Sequence, residues 1–266
     1  MDWGMQNRIS QIIKPKTGRT VMLAVDHGYF LGPTTRLEDP KKTIEPLIDY
    51  ADALMPTRGG LRNCVDAKTS TPIVLRVSGG NSIISEELSR EGITTSVEEA
   101  LRLNVAAMAM SIYVGSKYEH QTLMNLADLC DKAQRYGMPV VAVTAVGKDM
   151  VRDARYLSLC CRIAAEMGAM IVKTYHTDGF DKVVEGCPVP LVVAGGKKME
   201  TELDVFEVVS SAIQDGAVGV DMGRNIWQND HPVAMIKAVR AVVHEDYTPK
   251  EALDLYKAQE KEDGNN

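Results

Sequence analysis

Eight short, continuously apolar runs recur along the chain, each followed by a longer amphipathic one. The runs are TVMLAVDHG, DALMPTRG, PIVLRVSGG, VAAMAMSIYVG, PVVAVTAVG, AMIVKTYH, VPLVVAGG and GVDMGRN. An antiparallel strand with one wet face alternates apolar and polar residues; a run apolar throughout reads as a parallel strand buried on both faces. Stretches such as KYEHQTLMNLADLCDKAQRYG and DMVRDARYLSLCCRIAAEMG lie between them with helical spacing. In the latter, Val151, Ala154, Leu157, Cys161 and Ala165 form one apolar stripe. Gly137 and Gly168 follow the last periodic residues and serve as C-caps, and a further helix starts on Thr201 and stops at Gly216. Eight βα units in 266 residues, with no linker or low-complexity break, predict a single (β/α)8 TIM barrel over residues 1–250. A doubly wound open sheet is the alternative, which eight units at this length disfavour. Residues 251–266 read as the end of a C-terminal helix and a frayed acidic tail.

Bulk properties narrow the function. A net charge of −6 gives no reason to expect a nucleic-acid or anionic-membrane partner. No apolar run approaches the about 18 residues of a membrane span, and the N-terminus carries no secretion signal, so a cytoplasmic protein is expected. The five cysteines, Cys64, Cys130, Cys160, Cys161 and Cys187, make no CxxC pair, and His27, His120, His176, His231 and His244 make no HExxH pair. Reduced core thiols and no metal are expected.

Barrel enzymes carry their active sites at the C-terminal ends of the strands. Polar residues collect there: Asp26-His27-Gly28, Thr57-Arg58-Gly59, Arg76 and Ser78, Thr144 with Gly147-Lys148-Asp149, Lys173 and Tyr175, Gly195-Gly196-Lys197-Lys198, and Asp221 with Gly223-Arg224. Loops after strands 7 and 8 commonly build a phosphate site in this fold. Gly195, Gly196 and Gly223 would let backbone N–H groups approach an anion, and Arg224 would add a planar fork; a solvated basic glycine turn is the plainer reading of AGGKK. Lys173 ends an apolar run, and lysine is seldom buried. By the period of two it points inward if Ile171 and Tyr175 do. There, low dielectric and the cations Arg58, Arg76 and Lys148 would favour a neutral amine, a nucleophile for carbonyl carbon. Asp26 would hold or move protons, or else pair with Lys173 or Arg58 for structure alone; His27 carries less of the argument.

The motifs VMLAVDHG, GKDMVRD, IVKTY, PLVVAGGKK and GVDMGRNIWQ resemble the DhnA-type class I aldolase family of phosphosugar enzymes, over essentially the whole chain. The opening MDWGMQNRISQIIKPKTG looks like the family's, without a short leader. The resemblance implies a Schiff base at Lys173, phosphate binding at Gly195, Gly196, Gly223 and Arg224, and acid/base and ligand contacts at Asp26 and His27. Tyr175 is a further expected substrate contact. The family's aldolases carry a tyrosine at the end of strand 5; here VTAVGKD places Thr144 near that position. The resemblance therefore implies thiolytic cleavage of a phosphorylated 3-hydroxypentane-2,4-dione with coenzyme A, giving acetyl-CoA and dihydroxyacetone phosphate, rather than aldol cleavage. Coenzyme A is then a co-substrate, no cofactor is bound, and the family suggests a homo-oligomer, often a decamer. A class I aldolase or transaldolase-type lyase acting on a ketose phosphate such as fructose 1,6-bisphosphate is the alternative, with Tyr113 or Tyr175 supplying the phenol. A phosphosugar-binding protein without catalysis is a third possibility.

Overall fold

The computed structural model describes residues 2–145 and 152–263. All eight expected strands are present: β1 Thr20–Ala24, β2 Ala53–Met55, β3 Val74–Arg76, β4 Ala107–Ile112, β5 Val140–Thr144, β6 Ile171–Thr174, β7 Leu191–Ala194 and β8 Gly219–Met222. Every neighbouring pair is parallel, in the order β2-β1-β8-β7-β6-β5-β4-β3. Parallel bridges Leu54↔Ile73 and Thr57↔Arg76 join β2 to β3 and close the ring into a barrel. The open-sheet alternative is thereby excluded. At the β1–β8 seam, a Cβ on Gly219 would fall on the Thr20 carbonyl oxygen, so only glycine allows that approach.

Strand alternation divides the core in two. Met22, Ala24, Ala53, Met55, Val74, Ala107, Ala109, Val141, Ile171 and Val192 fill the barrel interior, joined by Ile12 from the helix Trp3–Ile12 that precedes β1. The opposite strand faces pack on the surrounding helices through a larger cluster that includes Leu23, Leu54, Leu75, Phe180, Phe206 and Trp227. Ala24, Ala53, Ala107 and Ala109 leave room for Met22, Met55 and Ile171 within a narrow barrel.

The helix signals hold. Gly137, Gly168 and Gly216 adopt φ of 59°, 102° and 105° after their helices. Thr201 begins Glu202–Gln214 with a capping box, its hydroxyl accepting from Asp204 N while the Asp204 carboxylate accepts from Thr201 N. The helix Ala154–Glu166 starts at its Asp153 cap and buries Leu157, Cys160, Cys161 and Ala164. Ala154 and Ala165 of the expected stripe pack against the same core, partly buried, with Cys160 and Ala164 added to it, and Val151 lies outside the described residues. The helix Pro249–Asp263 runs into the stretch expected to fray, and its own Ala252 and Tyr256 are buried. Among the described residues no helix is long and apolar enough to cross a membrane.

One element has no counterpart in the expected pattern. Between β3 and β4, Ser78–Gly79 pairs antiparallel with Gly92–Ile93. This ribbon brings Glu91 back over the barrel mouth.

Candidate active site

Two residues beyond the interior layer, the inward positions turn polar. Asp26 follows Ala24, Arg76 follows Val74, Ser111 follows Ala109, Lys173 follows Ile171, and Asp221 follows Gly219. All are buried. They form the floor of a cavity of about 480 Å³ at the C-terminal ends of the strands. Every residue expected from sequence lines it: Lys173, Asp26, His27, Thr144, Tyr175, Gly195, Gly196, Gly223 and Arg224.

Lys173 does point inward with Ile171 and is only 8% exposed. Its ion-pair partner is Asp221, with Nζ 2.9 Å from Oδ2. The cations named from sequence are differently placed. Arg76 lines the same cavity, Arg58 lies in a smaller adjoining recess with Thr57 and Gly59, and Lys148 lies outside the described residues. Burial raises the Asp221 carboxyl above its ordinary range; Lys173 opposes this and the nearby Asp26 charge adds to it.

Asp26 behaves in the opposite sense. Burial alone would push its carboxyl up, but Arg76, together with His27 and Lys173, outweighs that and holds it below the ordinary carboxylate range. Arg76 Nε donates to Asp26 Oδ2 at 2.8 Å. So the structural partner of Asp26 is Arg76, not Arg58, and the carboxylate stays ionised. Arg76 Nη1 also donates to Ser111 Oγ at 2.8 Å.

His27 packs edge-on against Trp227, with ring centroids 5.4 Å apart. Burial, reinforced by Lys173, Arg224 and Arg76, lowers its imidazole to about 4, so it is neutral at physiological pH. Nδ1 has no hydrogen-bond partner and stands 3.6 Å from Asp26 Oδ1.

The glycine loops meet as expected. Gly196 has φ of 67°. Asn225 ties the loops together: its Nδ2 donates to Gly195 O at 2.7 Å and Lys197 O at 3.2 Å, while Met199 N donates to its Oδ1 at 2.8 Å. Gly223 admits a close approach, since a Cβ there would lie 2.5 Å from Ala24 O and 2.7 Å from His27 Cε1. Arg224 is half-buried; its Nε is buried without a hydrogen-bond partner, and no carboxylate pairs with it among the described residues. A buried donor left open in this way matches an incoming anion. Beside it, the Arg152 guanidinium lies 3.9 Å from the centroid of Tyr175.

Thr144 sits on the cavity wall, but its hydroxyl donates to Thr174 Oγ1 at 2.9 Å and Lys173 O at 3.3 Å. Thr174 faces away from the interior, so that hydroxyl is not directed at the Lys173 amine. Following Val141 and Val143 inward, the next position is Ala145, which also lines the cavity. The place expected of a strand-5 tyrosine carries a methyl group.

A polar network over the β3–β4 side takes in Ser78 and Tyr113, both named from sequence, but its centre, Glu91, and Tyr29 escaped sequence reasoning. Glu91 Oε1 accepts from Tyr29 OH at 2.7 Å and Tyr113 OH at 2.9 Å, and its Oε2 accepts from Ser78 Oγ at 2.6 Å. Burial and the Glu91 charge push both phenols above their ordinary range. The cysteines stay out of the site: burial raises Cys130 and Cys161 to about 12 and Cys160 to about 11.

A closed eight-stranded barrel with a carboxylate-paired lysine at its mouth, facing glycine loops and an open arginine donor, is the framework of a lysine-dependent aldolase. The sequence profile described as DeoC/LacD family aldolase matches residues 20–229, and the chain belongs to that family. It is 58% identical over 257 residues to an uncharacterised aldolase of Pasteurella multocida, covering 96% of this chain and 88% of the relative. It is 56% identical over 262 residues to the 3-hydroxy-5-phosphonooxypentane-2,4-dione thiolase of Escherichia coli K12, covering 98% and 89%. Among solved structures, an archaeal fructose 1,6-bisphosphate aldolase superposes with a TM-score of 0.83 at 26% identity, over 91% of this chain and 99% of that one.

Proposed function

We propose that the protein cleaves 3-hydroxy-5-phosphonooxypentane-2,4-dione with coenzyme A, giving acetyl-CoA and dihydroxyacetone phosphate. The observation that carries this reading is the pairing of an inward lysine with a strand-5 exit, Ala145, that offers no phenol. Aldol cleavage must remove a hydroxyl proton as the aldehyde forms, whereas thiolysis of a diketone has no such step.

The phosphate binds the Gly195–Gly196 and Gly223–Arg224 loops, which places the nearer carbonyl over Lys173. The Lys173 amine adds to that carbon and water leaves, forming an iminium. Asp221, whose carboxyl is raised by burial, takes and returns protons at the amine. Asp26 stays anionic beside Arg76 and supports positive charge on the lysine nitrogen. Neutral His27 contacts the substrate from the cavity wall, and Tyr175 and Thr144 form the adjoining part of that wall.

The thiolate of coenzyme A then attacks the acetyl carbonyl. The bond between that carbon and the hydroxyl-bearing carbon breaks, its electron pair moving into the iminium to give an enamine. Acetyl-CoA departs, the enamine carbon takes a proton, and water hydrolyses the resulting iminium to dihydroxyacetone phosphate and free lysine. The reaction needs no resident cofactor. Residues 1–250 supply the catalytic unit, which we place in the cytoplasm as a homo-oligomer.

Purified protein mixed with the phosphorylated diketone should yield acetyl-CoA by mass spectrometry only when coenzyme A is present. Production of an aldehyde without coenzyme A would replace this reading with aldol cleavage. Arg224→Ala should raise KM for the diketone phosphate by about 10- to 100-fold with a smaller change in kcat, the value of a charge-assisted contact made equally in ground and transition states. An unchanged KM would place the phosphate elsewhere.

A further inference from the structure

The mechanism leaves one reactant without a seat, and the inference drawn here rests on that mechanism. In the ring order, β7 and β8 lie across the barrel from β3 and β4. A substrate with its phosphate on the β7–β8 loops and the carbonyl nearer that phosphate on Lys173 points its acetyl end toward the β3–β4 side. The cavity extends that way, between a loop carrying Asn81 and Leu88 and a loop carrying Ser116. The thiol must therefore arrive from that opening, because the opposite end holds the phosphate.

At its lip stands the exposed Lys117, and the exposed Arg90 of the other loop meets the same tyrosine ring just outside the cavity. Lys117 Nζ lies 5.7 Å and Arg90 Cζ 5.8 Å from the centroid of the Tyr118 ring. Neither has a carboxylate partner among the described residues, although the chain carries a net charge of −6. Attraction of each cation to the ring face holds the pair together without neutralising it. Two unneutralised cations beside the route of an acyl acceptor suit a polyanion. Glu86, an exposed carboxylate on the inner side of the same opening, disfavours phosphate there and leaves that stretch to an uncharged chain.

We propose that coenzyme A docks on the β3–β4 side of the mouth. Its nucleotide phosphates bind Lys117 and Arg90 outside, and its pantetheine arm runs inward past Ser116 to bring the sulfur over the acetyl carbonyl. The nucleotide supplies binding and orientation but takes no part in bond breaking.

The test compares coenzyme A with pantetheine, which carries the same thiol without the nucleotide, in the wild-type protein and in a variant combining Lys117→Ala with Arg90→Ala. The variant is expected to raise KM for coenzyme A by about tenfold or more, from loss of two charge-assisted contacts. KM for the diketone phosphate, turnover with pantetheine and borohydride trapping of dihydroxyacetone phosphate should stay as in the wild type. An unchanged KM for coenzyme A, in a protein that still prefers it to pantetheine, overturns the inference and leaves the thiolase reading standing. An equal loss with pantetheine also overturns it, since the loops would then be shaping the site rather than binding the nucleotide. Wild-type protein that is trapped by borohydride but acetylates neither thiol overturns the thiolase reading itself.

Discussion

Lys173→Ala should lower turnover by at least about a thousandfold, the scale expected when a covalent nucleophile is removed. Borohydride with dihydroxyacetone phosphate should leave a mass adduct on the wild-type protein and none on the variant. The fold should survive, because the lysine amine faces the cavity and water can occupy its place beside Asp221. The carboxyl of Asp221 is already raised by burial and can take up a proton once its partner is gone. Thermal melting within a few degrees of wild type would separate lost chemistry from lost structure. Activity retained in the variant would remove the Schiff base from the mechanism.

Gly223→Ala should damage both stability and substrate binding. A methyl group there would lie 2.5 Å from Ala24 O, 2.7 Å from His27 Cε1 and 2.9 Å from Trp227 Nε1. Ala24 O is backbone held in β1, and it accepts the Trp227 indole N–H at 3.0 Å, so the strain cannot be relieved by a rotamer change. The turn leaving β8 must move away from β1, carrying Arg224 with it. A cost of about 2–3 kcal/mol is typical of such overpacking. It should appear as a drop in melting temperature together with a raised KM for the diketone phosphate. A variant with wild-type values of both would mean that the turn shifts freely and that glycine is dispensable there.

The barrel was legible because each strand lies between two apolar layers and so carries an uninterrupted hydrophobic run. The inward direction of Lys173 was equally legible, since it follows from the period of two and the burial of Ile171. The same period, applied to Val141 and Val143, points to Ala145 and would have corrected the emphasis on Thr144. Contacts between distant strands were not legible. Nothing in the pattern around Asp221 indicates that its carboxylate meets Lys173, or that Arg76 and Asp26 bond across the barrel mouth. Those pairings depend on relative strand register, which is set by closure of the whole ring. Glu91 was hidden for a related reason: the ribbon that carries it is two residues long on each side, too short to leave a periodic signal. Asn225 lay inside a recognised motif, but its work is holding two loops together, which only their meeting in space reveals.

The Lys173–Asp221 pair has a consequence for the energetics of the proposed route. The Asp221 carboxyl, 2.9 Å from Lys173 Nζ, already lies beside the nitrogen on which the iminium's positive charge forms. Loading the substrate calls for little rearrangement of surrounding dipoles. The imbalance comes later, when bond cleavage turns the iminium into a neutral enamine and leaves the Asp221 carboxylate without its counter-charge. A buried carboxylate in that position draws a proton toward the site at the moment when the enamine carbon needs one. The crown of charges is thus matched to the iminium states on either side of the enamine, and it favours return of the enamine to an iminium by protonation at carbon.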